Sequence, residues 1–291
     1  MGDGAGRQFQ AGGVLTQMRW GRPVLLGTVA AFGIFLLAVA TRQPRHDRDW
    51  YPHLSRLPHV TLEDGVFSIA PYSNWTYAED APQAQVWTAV PPHRVSDVRR
   101  VWFVKEPHPG LPVMAHTFVL FEFGEGDLIG LTIEARKETD ETYSALAGAF
   151  NKFELLYDWA SPRDLMTRRA VMMDRELYMY PLQLSQGEAE AYLTALLEKT
   201  MSIERRPRFY NTLTSNCTNE LAKAADMPWD PAFIFTGWSD AALYRLKRIA
   251  GEGGFADVQD RARIDDRVRE IADLPEAAFN AALTAGSGPA R

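Results

Sequence analysis

The chain carries a single cysteine, Cys217, and six histidines, and the chemistry open to it depends on how these are placed. A cysteine attacks as its thiolate, and a helix N-terminus or a neighbouring imidazole stabilises that form. In Tyr210-Asn211-Thr212-Leu213-Thr214-Ser215-Asn216-Cys217-Thr218-Asn219 a polar loop leads into Cys217. The pattern predicts that Cys217 opens a helix running to about Ala225, with Ser215 or Asn216 as its cap. A lone cysteine also serves as a small buried core residue, but Asn and Thr flank this one. His46, His53 and His59 fall in a Pro- and Arg-rich segment, and His93 and His108 in Pro-containing loops. His116 differs, because it opens an apolar run, Ala115–Phe121. A strand holds an imidazole rigidly, as a general base requires; a satisfied strand-end histidine is the competing use.

Hairpin geometry supplies a third group. If Gly124–Gly126 is a three-residue loop, Phe123 faces Asp127, and counting outward sets His116 opposite Glu134 on one face. Glu134 would then accept the imidazole N–H and hold its tautomer. A four-residue loop would place Ala135 there instead. Glu134, Arg136, Lys137 and Glu138 otherwise read as solvated charge at a strand end. Neither HExxH nor a paired-His spacing is present, so no metal and no cofactor is expected.

The elements that must position these groups read as a mixed α+β domain. Val66–Ala70, Val98–Val104, Thr117–Phe123, Leu128–Arg136 and Glu176–Leu182 have the β-branched and aromatic content of strands. Ser185-Gln186-Gly187-Glu188 has the form of a capping box, and apolar residues keep helical spacing from Ala189 to about Ile203. Arg206-Pro207 ends that helix. The tail from Trp238 is charged and helical.

Among the 291 residues, 31 Lys+Arg stand against 37 Asp+Glu, a net charge of −6 that argues against a general nucleic-acid binder. A hydrophobic content of 46% with 11% aromatics supports a folded core rather than a disordered chain. One cysteine excludes an intrachain disulfide and any multi-cysteine metal site. Between Arg22 and Arg42 runs an uncharged apolar segment, Pro23–Thr41, long enough for one transmembrane helix. Ala38-Val39-Ala40 also has the small-x-small form of a signal-peptide cleavage site. Arginines flank the segment on both sides, so charge alone leaves its orientation open. The expected organisation is a leader over 1–22, a membrane helix over 23–41, a linker over 42–58, a catalytic domain over 59–227 and a helical extension over 228–291.

Three blocks, MAHTFVLFEFGEGDLIGLTIEARKETDETYS, FNKFELLYDWASPRDLMTRR and PRFYNTLTSNCTNELAKA, together resemble the Lnb N-terminal periplasmic domain family, named for bacterial lipoprotein N-acyltransferases. The resemblance covers roughly residues 50–226. It implies a permuted papain-like, NlpC-type fold: an antiparallel sheet packed on helices, with a strand histidine preceding an Asn-Cys helix start. It further implies Cys217 as nucleophile, His116 as base and a polar residue near Glu134 as orienter. Asn216, Tyr210, Asn211, Arg136 and Glu138 are the candidate substrate-binding or supporting residues. The expected setting is the bacterial inner membrane, with the domain in the periplasm and phospholipid or lipoprotein as substrate. Acyl transfer through a thioester on Cys217 is the leading expectation. A cysteine amidase or peptidase of cell-wall peptides and a non-catalytic envelope scaffold are the alternatives.

Overall fold

In a computed structural model of the chain, residues 21–124, 126–249 and 251–285 are described. The leader up to residue 20, the hairpin residue Glu125 and the end of the tail lie outside them. Two units are present, residues 1–43 and 44–291.

In the first, the expected apolar segment forms one helix, α1 (Gly21–Ala40). Leu25, Leu26, Ile34 and Leu37 on it are exposed. Among the described residues no helix is long and apolar enough to cross a membrane.

The second unit begins earlier and ends later than the expected catalytic domain. Trp50 and Leu54, in the supposed linker, are buried. Trp50 bridges to Glu138, and Leu54 and Ser55 offer backbone carbonyls to the buried Arg136 guanidinium.

The strands are β1 (His59–Glu63), β2 (Val66–Ser73), the short pair β3 (Thr76–Tyr77) and β4 (Pro82–Ala84), β5 (Trp87–Arg94), β6 (Arg100–Pro107), β7 (Ala115–Gly124), β8 (Asp127–Arg136), β9 (Glu154–Ala160) and β10 (Tyr178–Pro181). The main sheet runs β1-β2-β9-β8-β7-β6-β10, with β5 also on β2. Its ladders are antiparallel except where Ser73 of β2 meets Ala160 of β9. The helices of this unit are α2 (Ala145–Ala149), α3 (Pro162–Thr167), α4 (Gln186–Arg205), α5 (Cys217–Ala224), α6 (Ser239–Arg245), α7 (Phe255–Ala262), α8 (Asp265–Ile271) and α9 (Glu276–Thr284).

Helices cover both faces of the sheet, which is why its central strands are apolar throughout rather than alternating. On β7, Val119 and Phe121 pack with Leu193 and Leu197 of α4 and Leu221 of α5. Phe118 and Leu120 turn the other way, against Leu165 of α3, Val268 of α8 and Phe279 and Leu283 of α9. The strand β9, absent from the expected set, is buried at every residue, so it shows no alternation to read. Gly130 of β8 is required by this packing. A Cβ there would lie 2.6 Å from Leu165 Cδ1 and 2.7 Å from the Ala160 carbonyl. The capping box at Ser185 and Glu188 starts α4 as expected.

Candidate active site

The start of β7 supplies the histidine. Over β7 and β8 the register pairs Phe118 with Thr132 and Glu122 with Leu128, and the same count sets His116 opposite Glu134. The hairpin closes differently from the expectation, with Gly124 rather than Phe123 facing Asp127. A bulge between Glu122 and Gly124 absorbs the extra residue and restores the register.

His116 Nε2 lies 2.7 Å from Thr132 Oγ1, which donates in turn to Glu134 Oε1 at 2.9 Å. Thr132 can donate only one proton, so its hydroxyl accepts from His116 Nε2–H. The direct His116–Glu134 separation is 3.4 Å. The expected direct hydrogen bond is therefore a relay through a threonine. Period-2 spacing puts Thr132 and Glu134 on one face, the signal from which Thr132 was legible. The relay fixes the tautomer and leaves Nδ1 as the ring nitrogen for a thiol.

That thiol comes from α5. Asn216 caps the helix: its side-chain oxygen accepts from Asn219 N–H at 2.8 Å, and its Nδ2 donates to the carbonyls of Thr212 and Phe233. Cys217 is the first residue of the helix and is 3% exposed. Thr218 beside it shares a hydrogen bond with Thr117 of β7, Oγ1 to Oγ1 2.9 Å, which seats α5 on the strand carrying His116. Glu220, fully buried, anchors the same helix by accepting from Tyr157, Ser215 and Lys223.

The charges of the three groups depend on one another. Burial pushes the His116 imidazole down, but Glu134 and the Cys217 thiolate outweigh it and raise its pKa from 6.5 to about 10. Burial pushes the Cys217 thiol up, yet His116 and then Thr117 bring it below its ordinary value. Burial likewise disfavours ionised Glu134, but His116 and Arg169 hold it well below the usual carboxylate range. The favoured state is a thiolate–imidazolium pair backed by a carboxylate.

Cys217, His116 and Glu134 line one cavity of about 220 Å³ with Asn216, Tyr210, Tyr143 and Thr236. Of the expected supporting residues, Asn216 and Tyr210 are therefore at the site. Asn211, Arg136 and Glu138 are not in its lining. Asn211 builds the preceding loop, accepting from Leu213 and Thr214 N–H. Arg136 is buried under Trp50, and Glu138 pairs with Arg48. Four charged lining residues were not anticipated: Glu106, Lys137, Arg168 and Arg169. Arg169 is 3% exposed and bridges Glu106 (3.0 Å) and Glu134 (3.1 Å). Arg168 and Arg169 enter where α3 widens into a π-type turn over Arg168–Met172, a distortion common at functional sites. The sequence signal was the adjacent Arg pair itself, with nothing to place it.

Residues 91–246 match the family model described as the Lnb N-terminal periplasmic domain. No curated protein and no solved structure matches the chain.

Proposed function

The chain belongs to the Lnb N-terminal periplasmic domain family, and on that premise we propose a membrane-anchored, periplasm-facing cysteine acyltransferase of permuted papain-like type. Cys217 is the nucleophile, His116 its acid–base partner, and Glu134 the carboxylate that orients His116 through Thr132. The observation that carries this reading is the relay itself, which leaves His116 Nδ1 for the thiol and keeps Nε2 occupied. A histidine serving only to fill a strand end would not need a carboxylate, a hydroxyl and a buried thiol around it. The apolar, exposed side chains of α1 support the anchor.

In the first half-reaction the Cys217 thiolate attacks the carbonyl carbon of an acyl ester. Cys217 is the first residue of its helix, so its amide is a first-turn donor without an intrahelical acceptor and would serve the developing oxyanion. The ester C–O bond breaks, and imidazolium His116 gives its proton to the departing alkoxide. The acyl group remains as a thioester. In the second half-reaction an amine attacks that thioester, neutral His116 accepts the amine proton, and the thiolate leaves. A lipoprotein N-terminus is the amine that the family name points to.

The test is intact-mass analysis of the purified chain after exposure to phospholipid. An adduct of one acyl mass on Cys217, absent in Cys217→Ser, is the expected result. Adduct formation followed by release without any amine would mark a hydrolase. No adduct with phospholipid or acyl peptide, in a folded protein, would overturn the reading.

A further inference from the structure

The charges of the cavity are not compensated evenly. Besides His116, its lining holds the cations Lys137, Arg168 and Arg169 and the carboxylates Glu106 and Glu134. Arg169 engages both carboxylates, and Arg175 adds a second contact to Glu106 at 3.6 Å. Arg168 and Lys137 are left over. Among the described residues neither has a carboxylate within ion-pairing distance.

The groups in direct contact with them are neutral, while Glu134 and Glu141, which act on Lys137 from further off, are paired with Arg169 and Lys152. Arg168 Nη2 donates to His53 Nε2 at 2.6 Å, so His53 is the acceptor there. Burial and then Arg168 push His53 well below its ordinary pKa, which keeps it uncharged. Lys137 stands over the ring of Tyr51 at 5.0 Å. Burial lowers its pKa, and Arg168 works the same way against Glu134. Asp158, paired across the sheet with Thr132, is pushed well above its usual range by burial and Asp164, so it supplies no counter-charge. Two partly buried cations in one cavity repel each other and have lost hydration, an unfavourable arrangement that an anion between them would relieve.

We propose that Arg168 and Lys137 form a phosphate site beside Cys217, occupied in catalysis by the phosphodiester of a glycerophospholipid acyl donor. The guanidinium fork suits a phosphate oxygen pair and the ammonium adds a point charge. A phosphate held there places the same molecule's glycerol ester next to the thiolate. This rests on the acyl-transfer reading, and free phosphate is the other source of the same chemistry.

Alkylation tests the site without reference to turnover. On the full chain, iodoacetate, an anion, is compared with neutral iodoacetamide at Cys217. The ratio of their rates should exceed that of a small free thiol by about tenfold. It should fall by about threefold or more in Arg168→Gln and in Lys137→Gln, with Arg168→Lys restoring part of it. Using the ratio cancels any change in thiolate fraction, and the Lys137 variant serves if the Arg168 variant misfolds. An unchanged ratio in both variants would overturn the site. Adding inorganic phosphate should lower the iodoacetate rate; no protection at any concentration would also count against it.

The second arm compares acyl-adduct formation from phosphatidylglycerol and from diacylglycerol with the same acyl chains in detergent. Faster reaction with phosphatidylglycerol, and loss of that preference in Arg168→Gln, supports the lipid occupant. Equal rates would overturn the lipid assignment and leave free phosphate as the ligand of the site. An adduct from neither lipid, with the alkylation ratio intact, would sink the acyl-transfer reading and the lipid occupant together while the anion site stands.

Discussion

At the scale of single residues, Cys217 and His116 titrate as a pair, so a pH series reads both at once. The thiol is lowered from 9.0 and the imidazole raised to about 10. The thiolate–imidazolium state therefore exists between those two limits. Alkylation by iodoacetamide should rise with pH through a midpoint below 9.0, whereas acyl transfer, which needs the imidazolium proton, should decline again near 10. The same signs govern stability. The His116 contribution is complete below 6.5 and disappears as pH rises through about 10, while that of Cys217 is present above 9.0 and disappears as pH falls through the lowered thiol value. In His116→Ala the alkylation midpoint should rise, because burial of the thiol is then opposed by Thr117 without the imidazole. A midpoint that stays put would mean that the helix start, not His116, sets the thiol. Thr132→Val removes the relay without opening space. Losing a hydrogen bond to a charged group corresponds to about a ten- to hundredfold fall in turnover. The alkylation profile of this variant should also shift, a change that a packing defect would not cause.

At the scale of elements, the site depends on how α5 starts and how close α3 comes to β8. Asn216→Ala removes the cap and leaves the buried Thr212 and Phe233 carbonyls without that donor. The cost should be about 2 kcal/mol or more in denaturant unfolding, with slower alkylation of Cys217 as the first turn frays. Gly130→Ala forces a methyl group into Leu165 and the Ala160 carbonyl. About 1–3 kcal/mol of destabilisation is expected, and an unchanged melting curve would show that α3 and β8 are not this close. At this scale the sequence was informative wherever local signals were strong. The Ser185–Glu188 capping box, the Asn216 cap and the β7–β8 register could each be read from spacing. The turn of the hairpin could not, because a one-residue bulge changes the loop without changing the pairing beyond it.

For the whole molecule, residues after 227 are part of the fold rather than an appendage. Ile264, Val268, Phe279 and Leu283 complete the core on one face of the sheet. Thr236 exchanges hydrogen bonds with the backbone of Ala115, next to His116, and Asp240 pairs with the buried Lys105. Burial of those four apolar side chains alone stabilises by about 6–12 kcal/mol, comparable to the net stability of a domain. A chain ending at residue 227 should fail to give a cooperative unfolding transition by calorimetry. A folded, alkylatable truncation would restore the boundary that composition indicated.

What the amino-acid sequence determined by itself was the placement of Cys217 at a helix start and of His116 at the start of a strand. These follow from local rules: a cap before a helix, an apolar run, and a period of two across a hairpin. Glu134 was legible for the same reason, since register converts sequence distance into spatial distance. Tertiary structure decided the rest. Thr132 became a relay because a third side chain fits between imidazole and carboxylate. Arg136 and Glu138 were carried away from the cavity into contacts with residues 48–55, although they lie on the strand and just beyond it. Arg168 and Arg169 were visible only as an adjacent pair with nothing to place them, and a widened helical turn carries them into the cavity lining. Such convergence depends on packing between elements far apart in the chain, and no local pattern records it.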